Sequence, residues 1–190
     1  MEAGTDRFRR LLEPVHAKAL AFARALVRSR GEGDDLFHEA LLRALIRIDS
    51  LRDDAAFRSW LYRIVITVHR NRCRRAFWRR FLQLGPLPDP DTSDPVANSG
   101  TDYRTVEWSP EAAEATRRAR AALAKLPAAQ REAIVLFEIE GWKVDEIAEL
   151  HRVSASAIKS RLARGRDAMR VYYEQQFGTA APSLVPGDSP

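Results

Sequence analysis

The sequence predicts an all-α protein of two small helical domains, an N-terminal helical bundle and a C-terminal helix-turn-helix, joined by an acidic flexible linker. Three observations lead there. Apolar residues recur at helical spacing in two blocks, one before residue 82 and one after residue 110. Between them lies a stretch in which Pro86, Pro88, Pro90 and Pro95 forbid regular helix, with Gly, Ser, Thr, Asp and Asn in the gaps. Finally, Leu126 to Arg170 reads as a helix, a glycine stop, a short helix, a tight turn and a long basic helix. A long structureless span inside one compact domain is improbable, so the chain divides there. The expected division is 5–82, a linker over 83–109, a second domain over 110–177 and a tail over 178–190.

The 190 residues suffice for one medium domain or two small ones. The formal charge of +5 favours a polyanionic partner, but only mildly, so local clustering carries more information. Cys73 is the single cysteine and cannot form an internal disulfide. His16, His38, His69 and His151 are scattered and meet no cysteine at metal-ligand spacing. No Gly-rich phosphate loop, nucleophile elbow or Ser/His/Asp arrangement is present. The sequence therefore predicts no catalytic residue, no cofactor, no metal and no small-molecule substrate. No apolar run is long enough to span a membrane, and MEAGTDRFRR lacks the apolar core of a signal peptide. A cytoplasmic protein without membrane insertion is expected.

From the N-terminus, Phe8, Leu12, Val15, Ala19, Phe22 and Leu26 mark one amphipathic face, interrupted by Pro14, where a break is expected. Residues 28–33 read as a polar turn. Asp34 and Asp35 then open a helix, where carboxylates suit the positive dipole end. In it Leu36, Ala40, Leu41, Ala44, Leu45 and Ile48 face inward, and Phe37, Glu39, Leu42 and Arg43 another side. That second side reads equally as an ordinary charged outer face or as a dock for a partner helix. Asp54 is placed to cap the next helix. There Phe57, Trp60, Leu61, Ile64, Val65 and Val68 form the inner stripe. Beyond Val68 come Arg70, Arg72, Arg74, Arg75, Arg79 and Arg80, interleaved at the end with Phe77, Trp78 and Phe81. Cations beside aromatics suit single-stranded nucleic acid, where phosphates need charge and unstacked bases need flat partners. The alternative is a solvated helix end whose aromatics pack on the domain.

The linker is acidic, with Asp89, Asp91, Asp94, Asp102 and Glu107 against Arg104. Ser109, Pro110 and Glu111 then start a helix carrying Ala115, Ala119, Ala122 and Leu123. Pro127 suits the first turn of the next helix. Ala133, Ile134, Phe137 and Ile139 are its apolar stripe, and Gly141 its stop. Val144, Ile147, Ala148 and Leu150 line a short helix. Ser154 caps the last one, in which Ile158, Leu162, Met169 and Tyr172 face inward. Ser156, Ala157, Ser160 and Arg164 fall opposite, with Lys159 and Arg161 on the edges. Small residues let a backbone approach base edges, and clustered cations suit phosphates. A structural helical hairpin with a solvated basic face is the competing reading. The tail is poor in apolar residues and reads as disordered.

Taken together, LPAAQREAIVLFEIEGWKVDEIAEL and VSASAIKSRLARGRDAMR resemble the C-terminal DNA-binding domain of bacterial extracytoplasmic-function (ECF) sigma factors, a branch of the sigma-70 family. DLFHEALLRAL resembles the sigma helix that docks on the clamp coiled coil of core RNA polymerase, with His38 for a usual Gln and Leu45 for a usual Trp. FRSWLYRI resembles the segment that recognises and melts the −10 element, with Thr67 and Asn71 where the family often has Asn and Asp. The resemblance implies a polymerase-binding set of Asp35, Leu36, Glu39, Leu42 and Arg43. It implies a −10 set of Arg52, Phe57, Trp60, Arg63, Thr67, Arg70, Asn71 and Arg74, with a pocket for a flipped-out base over residues 52–58. It implies a −35 set of Arg152, Ser154, Ser156, Ala157, Lys159, Ser160, Arg161 and Arg164. Core polymerase, promoter DNA and an anti-sigma factor are the implied partners, and the linker would thread the polymerase. Two departures weaken the DNA-reading domain. Arg152 replaces a usual Gly and costs about 1 kcal/mol if left-handed. Lys143 replaces a usual Ser cap, a loss of about 1 kcal/mol. A helix-turn-helix regulator that binds duplex DNA without polymerase is the alternative function.

Overall fold

The computed structural model describes residues 2–84 and 110–178. The expected linker from residue 85, the Ser109 cap and the tail from residue 179 lie outside the described residues. So do the side chains of Arg79, Arg80 and Phe81. The chain divides into two compact units, the first ending at Thr92 and the second beginning at Ser93. Among the described residues there is no strand.

The N-terminal unit contains α1 (Glu2–Leu12), α2 (His16–Leu26), α3 (Arg30–Ile46) and α4 (Phe57–Leu84). Pro14 separates α1 from α2, as its fixed φ and missing donor require. Phe8, Ala19, Phe22 and Leu26 are buried, whereas Leu12 and Val15 beside the break stay half-buried. Phe22 stacks on Tyr62 with ring centroids 4.8 Å apart, and the edge of Phe8 meets Phe57 at 5.8 Å. Each fully buried large apolar side chain contributes about 1.5–3 kcal/mol.

The turn is shorter than residues 28–33: a bend over residues 27–29 gives way to helix at Arg30. Ser29 caps α3 by accepting from the Glu32 amide at 3.2 Å, so the helix opens before Asp34. Gly33 is helical because α2 lies against it: a Cβ there would stand 2.6 Å from the Arg24 Cα. A close backbone approach therefore explains a glycine that composition alone assigns to a loop. Phe37 turns inward, buried with its edge against His16, and Ile48 falls in a 3₁₀ turn (Ile48–Ser50) beyond the helix. Asp53, not Asp54, caps the 3₁₀ turn (Asp54–Ala56) before α4, accepting from the Ala55 amide at 3.0 Å. Asp54 instead receives Arg7 from α1, at 2.9 and 2.6 Å.

The C-terminal unit contains α5 (Pro110–Lys125), α6 (Ala128–Ile134), α7 (Val144–His151) and α8 (Ala155–Phe177). Between α6 and α7 the chain widens into a π turn (Val135–Ile139), with the Glu140 amide reaching the Val135 carbonyl at 3.0 Å. The wider turn shifts the inward register. Val135 and Leu136 are buried, and Ile139, expected on the core stripe, is 53% exposed. Gly141 adopts φ +69° and ends the segment. Gly165 lets α8 close on α6, since a Cβ there would lie 2.9 Å from Ile134 Cγ1. Farther along α8 the buried aromatic is Tyr173 rather than Tyr172, and burial raises its hydroxyl pKa. On α5, Ala122 and Leu123 are buried but Ala115 is exposed.

Candidate nucleic-acid interface

The turn between α7 and α8 is made by Arg152 at φ 55°, ψ 48°. Its left-handed backbone lets the Val153 amide reach the Ala148 carbonyl at 3.0 Å, closing α7 at the cost of about 1 kcal/mol for a non-glycine residue. Lys143, with no acceptor on its side chain, forms no cap. Glu146 compensates in part by accepting from the Lys143 amide at 2.7 Å. Ser154 opens α8, its Oγ accepting from the Ala157 amide at 3.2 Å and lying 3.0 Å from Ser156 Oγ.

Buried Ile158, Leu162, Gly165 and Met169 turn the other side of α8 outward. Arg152, Ser154, Ser156, Lys159, Ser160 and Arg164 are exposed, and Ala157 and Arg161 half-buried. The first half of α8 and the turn before it thus present small, polar and basic side chains together. The cations on this helix sort into two groups. Arg166 donates to Glu138 at 2.7 Å and lies over the Phe137 ring. Arg170 pairs with Asp167 at 3.3 Å and Glu174 at 3.8 Å. The side chains of Arg152, Lys159 and Arg164 have no hydrogen-bond or ion-pair partner among the described residues. Charges without internal partners are the ones able to release counterions from a phosphate backbone.

In the N-terminal unit, Trp60, Arg63, Thr67, Arg70 and Arg74 follow one another at three- and four-residue steps along α4, with Asn71 four residues after Thr67 and three before Arg74, so together they form a continuous stripe. Trp60 is half-buried, its ring 5.8 Å from Phe57. Arg63 is half-buried with its Nε sequestered. The Thr67 hydroxyl donates to the Arg63 carbonyl at 2.7 Å, and Asn71 Oδ1 accepts from Arg74 at 3.0 Å. Arg52 is exposed on a loop anchored next to it, where Arg7 also donates to the Leu51 carbonyl at 2.9 Å. Trp78 farther along α4 is 52% exposed, edge-on to Phe77.

On α3, Asp35 is exposed, Leu42 is 54% exposed, and Glu39 and Arg43 are half-buried. Glu39 accepts from Arg43 at 2.6 Å and from Arg72 of α4 at 2.8 Å, and Arg72 also donates to the Asp35 carbonyl at 2.9 Å. This face is thereby cross-tied between two helices. Two residues from the sequence-derived sets do not belong to any surface. Leu36 is fully buried, in step with Ala40 and Ala44, and Phe57 is 2% exposed between Phe8 and Trp60. Both are core residues.

Sequence reasoning missed Arg131. It is buried in α6 and donates to the carbonyls of Leu123, Ala124 and Leu126 at 2.8, 3.0 and 2.9 Å, closing the C-terminal end of α5. It also missed Arg7 and Arg72 as ties, since an arginine's partner across the fold leaves no local signal.

Comparison with known proteins follows this two-part geometry. Residues 11–79 match the family Sigma-70 region 2, and residues 116–169 match Sigma-70, region 4. The chain is 35% identical over 159 residues to the ECF RNA polymerase sigma factor SigM of Mycobacterium tuberculosis, covering 84% of this chain and 73% of that one. It is 27% identical over 167 residues to SigW of Bacillus subtilis, covering 87% and 88%. Among solved structures, the sigma factor RpoE of Bartonella quintana, crystallised with the anti-sigma factor NepR, shares the fold. It has a TM-score of 0.66 at 23% identity, over 89% of this chain and 98% of that one. A duplex-binding regulator with a sensing N-terminal domain does not account for a region 2 match over residues 11–79. The chain belongs to the ECF RNA polymerase sigma factors of the sigma-70 family, the subunits that join core polymerase and direct it to start transcription at particular promoters.

Proposed function

We propose that the two units divide the promoter between them. The N-terminal unit docks on core polymerase through Asp35, Glu39, Leu42 and Arg43. Its α4 stripe of Trp60, Arg63, Thr67, Arg70, Asn71 and Arg74, with Arg52 beside it, recognises and opens the −10 element. A stripe that mixes cations, short polar groups and an aromatic serves strand separation, because the released bases need flat partners and the phosphates need charge. The C-terminal unit reads the −35 element with Arg152, Ser154, Ser156, Ala157, Lys159, Ser160, Arg161 and Arg164. The observation that carries this reading is the sorting of cations around α8: Arg152, Lys159 and Arg164 lack partners among the described residues, while Arg166 and Arg170 are paired.

We place the protein in the cytoplasm, where its polymerase is, and expect an anti-sigma factor to hold it. A solved protein of the same fold, RpoE, was crystallised with an anti-sigma factor, and another, CnrH, was solved in complex with the cytosolic domain of CnrY. The experiment is run-off transcription with core polymerase and this chain on a genomic promoter library. Defined start sites that disappear when Lys159 and Arg164 are both changed to Ala support the assignment. Start sites that persist unchanged in that variant remove α8 from promoter reading. Recovery of no tight-binding inhibitor from the native host overturns the partner assignment.

A further inference from the structure

His151 ends α7 with its side chain fully buried, between Glu132 of α6, also fully buried, and Arg161 of α8. Its Nδ1 lies 3.2 Å from an Arg161 guanidinium nitrogen, and its Nε2 lies 3.8 Å from Glu132 Oε2. A guanidinium only donates, so Nδ1 is the acceptor and the neutral ring carries its proton on Nε2, towards the carboxylate. At 3.8 Å that approach is attraction rather than a hydrogen bond. Three helices thus contribute a carboxylate, an imidazole and a guanidinium in sequence, and the last of them reaches the surface.

We propose that His151 is a positioning residue for promoter recognition: it grips one end of Arg161 and sets the direction in which α8 presents the rest of that guanidinium. This rests on the reading of Arg161 as a −35 contact. Arg161 differs from its neighbours in having such a grip. Lys159 and Arg164 have no partner among the described residues and are free to follow a phosphate wherever it lies. Arg161 has one nitrogen held by His151 and no other partner among the described residues. A guanidinium held at one nitrogen has less side-chain freedom left to lose on binding. Readout of a base edge or a bidentate phosphate contact demands fixed geometry, which a tethered fork provides and a mobile one does not. A leucine would fill the same buried space but offers Arg161 no acceptor, so packing alone does not explain the ring.

The test uses holoenzyme assembled from core polymerase and full-length variants, competed with duplexes carrying the −35 half of a promoter that it transcribes and single-base versions of it. Arg161→Ala is expected to lower discrimination between these duplexes by about fivefold or more, the low end for a base contact. His151→Asn places an amide oxygen near the Nδ1 position and is expected to keep discrimination within about twofold of the parent. His151→Gln places its oxygen near Nε2, facing Glu132, and His151→Leu has none; both are expected to lose about as much as Arg161→Ala. Adding His151→Leu to Arg161→Ala should change nothing further, because the two act as one unit. Equal discrimination by the Asn and Gln variants overturns the proposal, and that comparison stands even if the Leu variant does not fold. Additive losses in the double variant overturn it as well. If Arg161→Ala itself discriminates like the parent, it is the assignment of Arg161 as a DNA contact that fails, and the inference falls with it.

Discussion

The α3 face of the N-terminal unit and the start of α8 in the C-terminal unit use arginine in opposite ways. In the N-terminal unit the charges are tied inside the fold: Arg7 to Asp54 and the Leu51 carbonyl, Arg24 to Asp34, Arg43 and Arg72 to Glu39. Around the start of α8, Arg152, Lys159 and Arg164 are exposed, their side chains without partners among the described residues. Ties between helices hold a surface in one shape, which suits a protein partner that must fit side chain by side chain. Unpaired charges suit a polyanion, whose binding is driven by the counterions it releases and tolerates a shift in position. One chain therefore carries a charge-balanced face on α3 and a charge-rich one at the start of α8.

The largest effect that breaks this comparison is steric. Each unit has one glycine at a helix–helix approach, but the neighbours differ. A Cβ at Gly33 meets the Arg24 backbone at 2.6 Å, while one at Gly165 meets an Ile134 side-chain carbon at 2.9 Å. Backbone does not step aside as a side chain does. Gly33→Ala should destabilise by about 3 kcal/mol and Gly165→Ala by about 1 kcal/mol, the two ends of the range for overpacking. Urea unfolding of the full chain checks both, and equal losses would mean that α2 and α3 can separate freely.

Charge comes next. Arg164→Ala should weaken promoter binding across sequences and flatten its salt dependence by about one ion. Arg72→Ala, which frees Glu39 rather than exposing a phosphate, should leave that slope alone. A titration of holoenzyme binding against salt separates them, and an unchanged slope for Arg164→Ala strikes it from the phosphate contacts.

A smaller effect sharpens the contrast between backbone and charge in the turn. Arg152→Gly relieves a left-handed residue at φ 55°. It should stabilise the C-terminal unit by about 1 kcal/mol while removing a cation from the DNA-facing side. Thermal unfolding and DNA affinity should then move in opposite directions; a drop in both would show that the turn gains nothing from glycine.

The smallest effect is proton-linked. The hydrogen bond from Arg24 holds the Asp34 carboxyl below its ordinary value of 3.8 against an opposing effect of burial, and the Arg24 and Arg30 charges lower it further. A depressed folded-state value contributes stability that is present above the unfolded pKa and is lost as pH falls through the folded one. Asp34→Asn should therefore lower stability slightly at neutral pH and converge with the parent as pH falls well below 3.8. Denaturation midpoints at neutral and acidic pH give the comparison, and identical midpoints at neutral pH would show that the pair contributes nothing.

Much of both units was legible before any coordinates. Pro14, Gly141 and Ser154 act locally through φ, a missing donor or a side-chain acceptor, so each marks its boundary wherever it stands. The stripe of Phe57, Leu61, Ile64, Val65 and Val68 was legible because helical spacing repeats, although Trp60, expected in it, is only half-buried. The errors have equally physical causes. Residues 28–33 look like a turn because Gly31 and Gly33 disfavour helix in isolation, and only the nearness of Arg24 gives Gly33 a reason to be helical. Ile139 followed helical spacing until the π turn altered the spacing itself. Helical spacing placed Leu36 and Phe57 inward, where they are buried; only the resemblance put them in the contact sets.

The sequence by itself determined that this chain is two helical units with a basic helix after a tight turn in the second, because helical period, capping and charge clustering are short-range properties written along the chain. Tertiary structure alone decided which cations are spent on internal ties and which remain for a phosphate. It also decided that Arg131 closes α5 and that His151 stands between Glu132 and Arg161. Those pairings join groups on different helices, and the distance between them exists only once the helices have packed.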